Sequence, residues 1–208
     1  MTLANRITTG RLLLSVVLFV LLDLLGRDNP MAGRADPLPG WKLATVCLAL
    51  FILITATDAL DGYYARKLGQ VSDFGRIADP AADKVIICGS FVFLSAIHWG
   101  RAIVPPWIVV AILAREFIVT ALRGYMERRG HAFGADPADK LKMILQCFAI
   151  GGVLFYRVVS DATTVEAAGA RGVWWFAVVC TWGALVTTVW SGVGYVSKAW
   201  VHLREGGL

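Results

Sequence analysis

Residues 43–66 read LATVCLALFILITATDALDGYYAR, an apolar run that ends in two aspartates. These are Asp58 and Asp61, and with Asp79 and Asp83 they put four carboxylates within 26 residues. A charged group costs about 2.5 to 3.5 kcal/mol at the centre of a bilayer on insertion scales. Four acids at the end of a membrane-length segment therefore predict a site for divalent metal.

The composition indicates a membrane protein. Of the 208 residues, 57% are hydrophobic and 17% are charged, and the mean hydropathy is +0.65. A soluble domain carries about 25% charged residues, so this deficit, with several apolar runs near membrane length, excludes an ordinary soluble fold. We expect a single domain over residues 1–208. In a membrane protein, a net charge of +5 is first explained by Lys and Arg residues on the cytoplasmic side of the helices, so no nucleic-acid partner is expected.

The apolar runs and the turn residues between them predict an all-α fold, an integral membrane bundle of six transmembrane helices. Loops rich in Pro, Gly and polar residues are expected at 26–40 and 130–137, with a short turn at 69–75. The six helices are predicted at residues 3–25, 41–67, 76–99, 105–129, 138–156 and 173–203.

Six spans place both termini on one side of the membrane, and the distribution of Lys and Arg indicates which side. With the N-terminus inside, fourteen basic residues fall on the inner side and six on the outer side, which favours cytoplasmic termini and a cytoplasmic acidic site. We expect an integral protein of a bacterial inner (plasma) membrane. The outer six are Arg27, Arg34, Lys42, Arg101, Arg157 and Arg171.

The spacing of the four aspartates suits metal binding. Asp58 and Asp61 are three residues apart and Asp79 and Asp83 four, so each pair shares one helix face. Two helices joined by a short turn run antiparallel, and the pairs can converge. Carboxylates without His or Cys nearby favour Mg²⁺ or Mn²⁺, and four of them suffice for two ions.

Small residues and an arginine accompany these acids. Gly62 and Ala65 leave room for a ligand against the helix, and Arg66 offers a fork-shaped donor to a phosphate. The alternative is a set of solvated helix ends on which basic neighbours balance the acids. The combination of four acids, small residues and an arginine at these spacings favours the binding site. The balancing residues would be Arg66, Lys67, Arg76 and Lys84.

The pattern D-x2-D-G-x2-A-R-x8-G-x3-D-x3-D resembles the signature of the CDP-alcohol phosphatidyltransferase family. The resemblance implies that an alcohol attacks the β-phosphate of a CDP-linked lipid and releases CMP, that Asp83 is the general base, and that the protein is a homodimer. It assigns two Mg²⁺ or Mn²⁺ ions to Asp58, Asp61, Asp79 and Asp83. It assigns the CDP group to Asp58, Gly62, Ala65, Arg66 and Gly75.

A basic cluster indicates the class of alcohol. Arg115, Arg123, Lys140 and Lys142 are predicted near the acidic site, and a cationic pocket there suits an acceptor that carries its own phosphate. The alternatives are positive-inside topology for the cluster and a structural ion pair of Arg115 with Glu116.

This region is similar to one branch of the family, in which CDP-diacylglycerol and glycerol 3-phosphate are the substrates. The similarity covers four stretches of the chain. They are A-R-E-F and the following L-R at 114–123, K-x-K at 140–142, N-x2-T-x2-R at 5–11 and W-S-x3-Y at 190–195. Two residues depart from the branch pattern: Asp139 stands where Gly is usual, and Met143 where Thr is usual. An added carboxylate in this element predicts either weaker anion binding or a different acceptor.

Other functions stay open on the sequence alone. The same chemistry with inositol phosphate, serine or phosphatidylglycerol as acceptor is the nearest alternative. An aspartate-rich membrane prenyltransferase also binds a diphosphate through Mg²⁺, but such enzymes usually have more helices than the six predicted here. The third alternative is a helical bundle that binds metal or lipid without turnover. Metal-dependent release of CMP distinguishes a CDP-alcohol phosphatidyltransferase from the prenyltransferase and from the non-catalytic bundle.

Overall fold

The fold is a bundle of long helices. The computed structural model describes the backbone of residues 3–27, 40–68, 73–129, 137–161 and 167–205, and the side chains of residues 8–27, 40–57, 81–129, 138–160 and 168–200. This part of the chain contains no strand. Its helices are α1 (Leu3–Arg27), α2 (Gly40–Leu68), α3 (Asp73–Ala96), α4 (His98–Arg101), α5 (Pro106–Arg128), α6 (Pro137–Asp161) and α7 (Ala167–Glu205).

The predicted all-α class is confirmed, and each of the six predicted helices corresponds to one long helix. The short helix α4 was not predicted, because residues 76–99 read as one uninterrupted helix. Helix α7 also begins six residues earlier than predicted, at Ala167, and α6 extends five residues further, to Asp161. The predicted loops and turn fall mostly outside the described residues.

A tight corner separates α3 from α5. Ile97 leaves the helix with φ −74° and ψ 133°, and its carbonyl then accepts a hydrogen bond from the Arg101 amide at 2.8 Å. Gly100 is buried so closely that a Cβ atom there would lie 2.3 Å from the carbonyl oxygen of Leu94. Pro105 then precedes α5 as its N-cap, and Pro106 is the first residue of that helix, where the missing amide hydrogen of proline is tolerated. The absence of a Cβ at Gly100 is therefore what permits this corner.

The core lies along the helix interfaces, where α1 packs on α2 and α3, α6 packs on α2 and α7, and α5 packs on α3 and α7. Its side chains are aliphatic and aromatic, so packing of these faces holds the bundle together. The largest buried ones include Leu18, Leu22, Ile54, Phe91, Leu94, Ile108, Ile112 and Ile150.

The outside of the bundle is also apolar. Exposed side chains include Val16, Ile52, Val110, Phe117 and Val179, a surface that suits lipid rather than water. Four segments are long and apolar enough to cross a membrane: Thr8–Arg27, Gly40–Thr57, Ala138–Ser160 and Ala168–Trp200. Membrane crossing by the two other long helices, α3 and α5, stays a prediction.

Candidate active site

The backbone places the acidic motif on two helices. Asp58 and Asp61 lie in the last third of α2, and Asp79 and Asp83 lie in α3. The side chains of the first three are outside the described residues, as are those of Gly62, Ala65, Arg66 and Gly75. Their convergence on metal and on CDP therefore stays a prediction. Among the described side chains, no group of three His, Cys, Asp or Glu residues could hold an ion.

Asp83 is the described member of the acidic set, and Arg11 holds it. Arg11 Nη2 of α1 donates to Asp83 Oδ1 at 2.6 Å, and the two side chains are 3% and 33% exposed. A charge-assisted bond of this length fixes the orientation of the carboxylate. The sequence motif that contains Arg11 was recognised, but its pairing with Asp83 was not predicted.

A cavity of about 590 Å³, with several charged residues in its lining, adjoins Asp83. Helix α3 contributes Asp83, Lys84 and Cys88, α5 contributes Glu116 and Arg123 among others, and α6 forms the remaining wall. This volume accommodates a small phosphorylated alcohol. The contributions of α6 are Asp139, Lys142, Met143 and Gln146.

Arg115 is the most constrained cation of this cavity. Its side chain is 8% exposed, and Nη1 donates to Glu116 Oε1 at 2.9 Å. Its Nη2 donates to Asp139 Oδ1 at 2.5 Å and to Ser191 Oγ at 2.6 Å. The predicted Arg115–Glu116 ion pair is therefore present, but it is one contact of several that join α5 to α6 and α7.

Arg123 lies two turns further along α5 and uses a different set of partners. Its Nη2 donates to the Tyr195 hydroxyl at 2.6 Å and lies 3.4 Å from Asp139 Oδ2. The Tyr195 hydroxyl donates in turn to Asp139 Oδ2 at 2.8 Å. The guanidinium of Arg123 also lies 5.2 Å from the centre of the Tyr195 ring, within cation–π range. Asp139 thus bridges both arginines, and Tyr195 supports the bridge from α7.

Two lysines complete the cationic wall. Lys142 is buried and its Nζ donates to Glu116 Oε1 at 2.6 Å, so Glu116 is shared between Lys142 and Arg115. Lys84 Nζ donates to the Thr120 hydroxyl. Lys140, the fourth cation predicted for acceptor binding, is exposed, and its side chain is not among those that line the cavity.

Several polar residues of this cluster were not predicted as site residues. Thr188, Ser191 and Tyr195 are buried on one face of α7, and Asp139 and Gln146 lie on the face of α6 that carries the predicted Lys142. In both sets the residues recur at intervals of three and four, which is the spacing of one helix face. Polar residues at that spacing inside apolar spans were the signal that could have identified them.

The charges that line the cavity balance. Its cations are Lys84, Arg115, Arg123 and Lys142 and its carboxylates are Asp83, Glu116, Glu127 and Asp139, so the described lining carries no net charge. Asp83 is also paired with Arg11, which does not line the cavity, and Glu127 is exposed. The planar guanidinium groups of Arg115 and Arg123 are donors that suit the oxygens of a phosphate monoester.

The apolar outer surface, with a buried ion-pair network beside an internal cavity, defines a helical membrane protein. The model of the CDP-alcohol phosphatidyltransferase family matches residues 1–190. The chain is 32% identical to the CDP-diacylglycerol–glycerol-3-phosphate 3-phosphatidyltransferase of Bacillus subtilis over 203 residues, with 97% of each chain covered.

Two further relatives have names of the same kind. A probable phosphatidylglycerophosphate synthase of Mycobacterium tuberculosis is 35% identical over 197 residues, which cover 95% of this chain and 81% of the relative. A CDP-diacylglycerol–glycerol-3-phosphate 3-phosphatidyltransferase of Yersinia pestis is 30% identical over 162 residues, 77% of this chain and 81% of the relative.

The chain belongs to the CDP-alcohol phosphatidyltransferase family. It is therefore an enzyme of that class and, with its apolar helices, an integral membrane protein. The resemblance drawn from the acidic motif is confirmed.

Proposed function

We propose that this enzyme transfers the phosphatidyl group of CDP-diacylglycerol to glycerol 3-phosphate, which yields phosphatidylglycerophosphate and CMP. The observation that carries the proposal is the cavity beside Asp83, which Arg115, Arg123 and Lys142 line with guanidinium and ammonium groups. The names of the relatives support the same pair of substrates.

The acceptor's phosphate is bound by the basic wall. Arg115 and Arg123 offer planar forks that suit phosphate oxygens, and Lys142 adds a point charge. Lys140 remains a predicted contributor from the sequence. Fixing the phosphate against α5 and α6 directs the acceptor's hydroxyl toward Asp83, which lines the same cavity.

The chemical step is a displacement at phosphorus. The acceptor's hydroxyl oxygen forms a bond to the β-phosphorus of CDP-diacylglycerol, the bond from that phosphorus to the CMP oxygen breaks, and Asp83 takes the hydroxyl proton. Asp83 is suited to this role by its place on the cavity wall and by the Arg11 contact, which orients its carboxylate. Gly62, Ala65, Arg66 and Gly75, with Asp58, are proposed to bind the CDP group.

The donor set fits divalent cations, since carboxylate oxygens are the ligands that Mg²⁺ and Mn²⁺ prefer. Asp58, Asp61, Asp79 and Asp83 would hold two ions. When bound, the ions supply charge stabilisation to the entering and leaving oxygens.

A transfer assay tests the proposal. Purified protein with Mg²⁺, CDP-diacylglycerol and radiolabelled glycerol 3-phosphate is expected to give lipid-extractable label and one CMP for each labelled lipid. Absence of product with every CDP-lipid tried would contradict it. One observation favours a different acceptor, namely Asp139 among the arginines, so inositol phosphate, serine and phosphatidylglycerol are run alongside and scored by CMP release.

We further propose that the active site and both termini face the cytoplasm of a bacterial inner membrane. The support is the excess of Lys and Arg on the predicted inner side. Two C-terminal fusions test this topology. A reporter that works only in the cytoplasm is expected to give a signal, and a reporter that works only outside the inner membrane is expected to give none. The reverse pattern would contradict the proposed topology.

A homodimer formed by the single domain of residues 1–208 is the last part of the proposal. Its support is the family resemblance. Mass measurement of the protein in lipid nanodiscs is expected to give twice the chain mass, and a single-chain mass at assay concentrations would contradict it.

A further inference from the structure

Asp139 has an unusual place for a carboxylate, because it lies in a cavity proposed to bind an anion. It is in the first turn of α6, where the helix N-terminus stabilises negative charge. Its Oδ1 accepts from Arg115 Nη2 at 2.5 Å, and its Oδ2 accepts from the Tyr195 hydroxyl at 2.8 Å. Oδ2 also lies 3.4 Å from Arg123 Nη2. The two oxygens therefore occupy the donors that a bound phosphate would use.

Neither arginine depends on Asp139 alone for its position. Arg115 also donates to Glu116 at 2.9 Å and to Ser191 at 2.6 Å. Arg123 also donates to Tyr195 at 2.6 Å, and its guanidinium lies against the same ring. Loss of the carboxylate would thus leave both guanidinium groups held by α5 and α7.

We propose that Asp139 is an internal counter-ion that competes with the acceptor's phosphate for Arg115 and Arg123 and so sets the affinity for the acceptor. The inference rests on the proposed function for the nature of the acceptor. Without the acceptor, the Asp139 carboxylate pairs with Arg115 and Arg123. When the acceptor binds, the two arginines donate to its phosphate in place of the carboxylate, whose charge the N-terminus of α6 still stabilises. Asp139 is a positioning and specificity-determining residue, and it takes no part in the bond changes.

The charge of the cluster gives the direction of the effect. Replacement of Asp139 by Asn makes the net charge of the lining more positive by one, while the amide keeps nearly the same shape. A dianion gains from the added charge and from the freed donors. We expect the affinity for a phosphate monoester to rise about tenfold, since one charge a few ångströms away is being removed.

The experiment compares Asp139→Asn with two matched variants. Asp139→Glu keeps the charge. Asp23→Asn makes the same chemical change outside the cavity, near the C-terminal end of α1, where Asp23 pairs with the exposed Arg27 at 2.5 Å. In Asp139→Asn the KM for glycerol 3-phosphate is expected to fall about tenfold with the KM for CDP-diacylglycerol unchanged. Asp139→Glu is expected to restore a KM near that of the wild type, and Asp23→Asn to leave both constants unchanged.

Equilibrium binding separates this inference from the proposed function. Binding of radiolabelled inorganic phosphate to each purified variant requires no turnover, and Asp139→Asn is expected to bind it more tightly than the wild type. An unchanged or weaker affinity, in a protein that elutes and melts like the wild type, would overturn the counter-ion role, even if the enzyme is active. Failure of transfer to glycerol 3-phosphate, with tighter phosphate binding in Asp139→Asn, would overturn the proposed acceptor and support the counter-ion.

Discussion

At the scale of single residues, Arg115 shows why a guanidinium suits the proposed acceptor site better than an ammonium. It reaches Glu116 from one terminal nitrogen and both Asp139 and Ser191 from the other. A lysine ammonium is a single point and cannot span these directions at once. The planar fork of Arg115 therefore links three helices and at the same time presents donors to the cavity.

Replacement of Arg115 by Lys is expected to weaken acceptor binding. The positive charge remains, but the fork and its bridge to α6 and α7 are lost. We expect the KM for glycerol 3-phosphate to rise about tenfold or more and the KM for CDP-diacylglycerol to change less than twofold. Steady-state kinetics with each substrate varied in turn measure both. Equal increases in the two constants would show that Arg115 does not act on the acceptor specifically.

Replacement of Asp83 by Asn tests the proposed base. The amide keeps an acceptor for Arg11 but cannot take the hydroxyl proton, so kcat is expected to fall about 10² to 10⁴-fold. The elution volume and melting temperature in detergent serve as the control for folding, with Asp23→Asn as the matched variant. Turnover within tenfold of the wild type would remove Asp83 from the role of base.

The sequence predicted the residue types of the site better than their contacts. Arg115, Arg123 and Lys142 were predicted as a cationic group and line one cavity, because their spacing on α5 and α6 fixes which face they share. The contacts between Asp139 and Tyr195, or between Arg11 and Asp83, join residues 56 and 72 positions apart. Such pairs depend on how helices pack, which the period of one helix does not specify.

At the scale of helices, the approach of α7 to α5 determines where Arg115 lies. Gly192 of α7 is buried beside it, and a Cβ atom there would lie 2.9 Å from Arg115 Cγ. That distance is below ordinary van der Waals contact, so an added methyl group must displace the arginine stem. The adjacent Ser191 contact would then be disturbed as well.

The variant Gly192→Ala is therefore expected to raise the KM for glycerol 3-phosphate about three- to tenfold through displacement of Arg115. Gly194→Ala is the matched control, since nothing lies within 4 Å of a Cβ atom at that position of the same helix. Its KM is expected to stay within twofold of the wild type. Indistinguishable values for the two variants would argue against a close fit of α7 against Arg115.

Helix positions were predictable because each apolar run and each turn signal is local. Pro106 and Gly40 lie at helix starts within a residue of those predicted. The corner at Ile97 and Gly100 was missed, because Gly100 approaches the backbone of Leu94 only once the chain has turned. A glycine near a helix end gives no sign of that contact in the sequence.

At the scale of the whole molecule, the bundle brings a charged site into an apolar body. The described helices present apolar side chains outward, while α3, α5 and α6 enclose the cavity and α7 supports its arginines. Burial strengthens the electrostatic contacts inside, and the paired carboxylates prevent the cations from being left unsatisfied. This arrangement suits a reaction between a water-soluble phosphorylated acceptor and a lipid donor.

Metal removal tests the proposed role of the four aspartates of the acidic motif. Four carboxylates are proposed to hold two divalent ions, so excess chelator is expected to reduce product formation at least about 100-fold, and added Mg²⁺ or Mn²⁺ to restore it. The measurement is CMP release before and after the metal is returned. Full activity in chelator would contradict a metal-dependent reaction.

The central claim is that the basic residues of the cavity, Arg115, Arg123 and Lys142, select glycerol 3-phosphate as acceptor, and a competition assay tests it most directly. Purified enzyme receives CDP-diacylglycerol and Mg²⁺ with equal concentrations of glycerol 3-phosphate, inositol phosphate, serine and phosphatidylglycerol, and mass spectrometry identifies the lipid products. The predicted result is phosphatidylglycerophosphate as the dominant product. Dominance of a product from any other acceptor would contradict the claim.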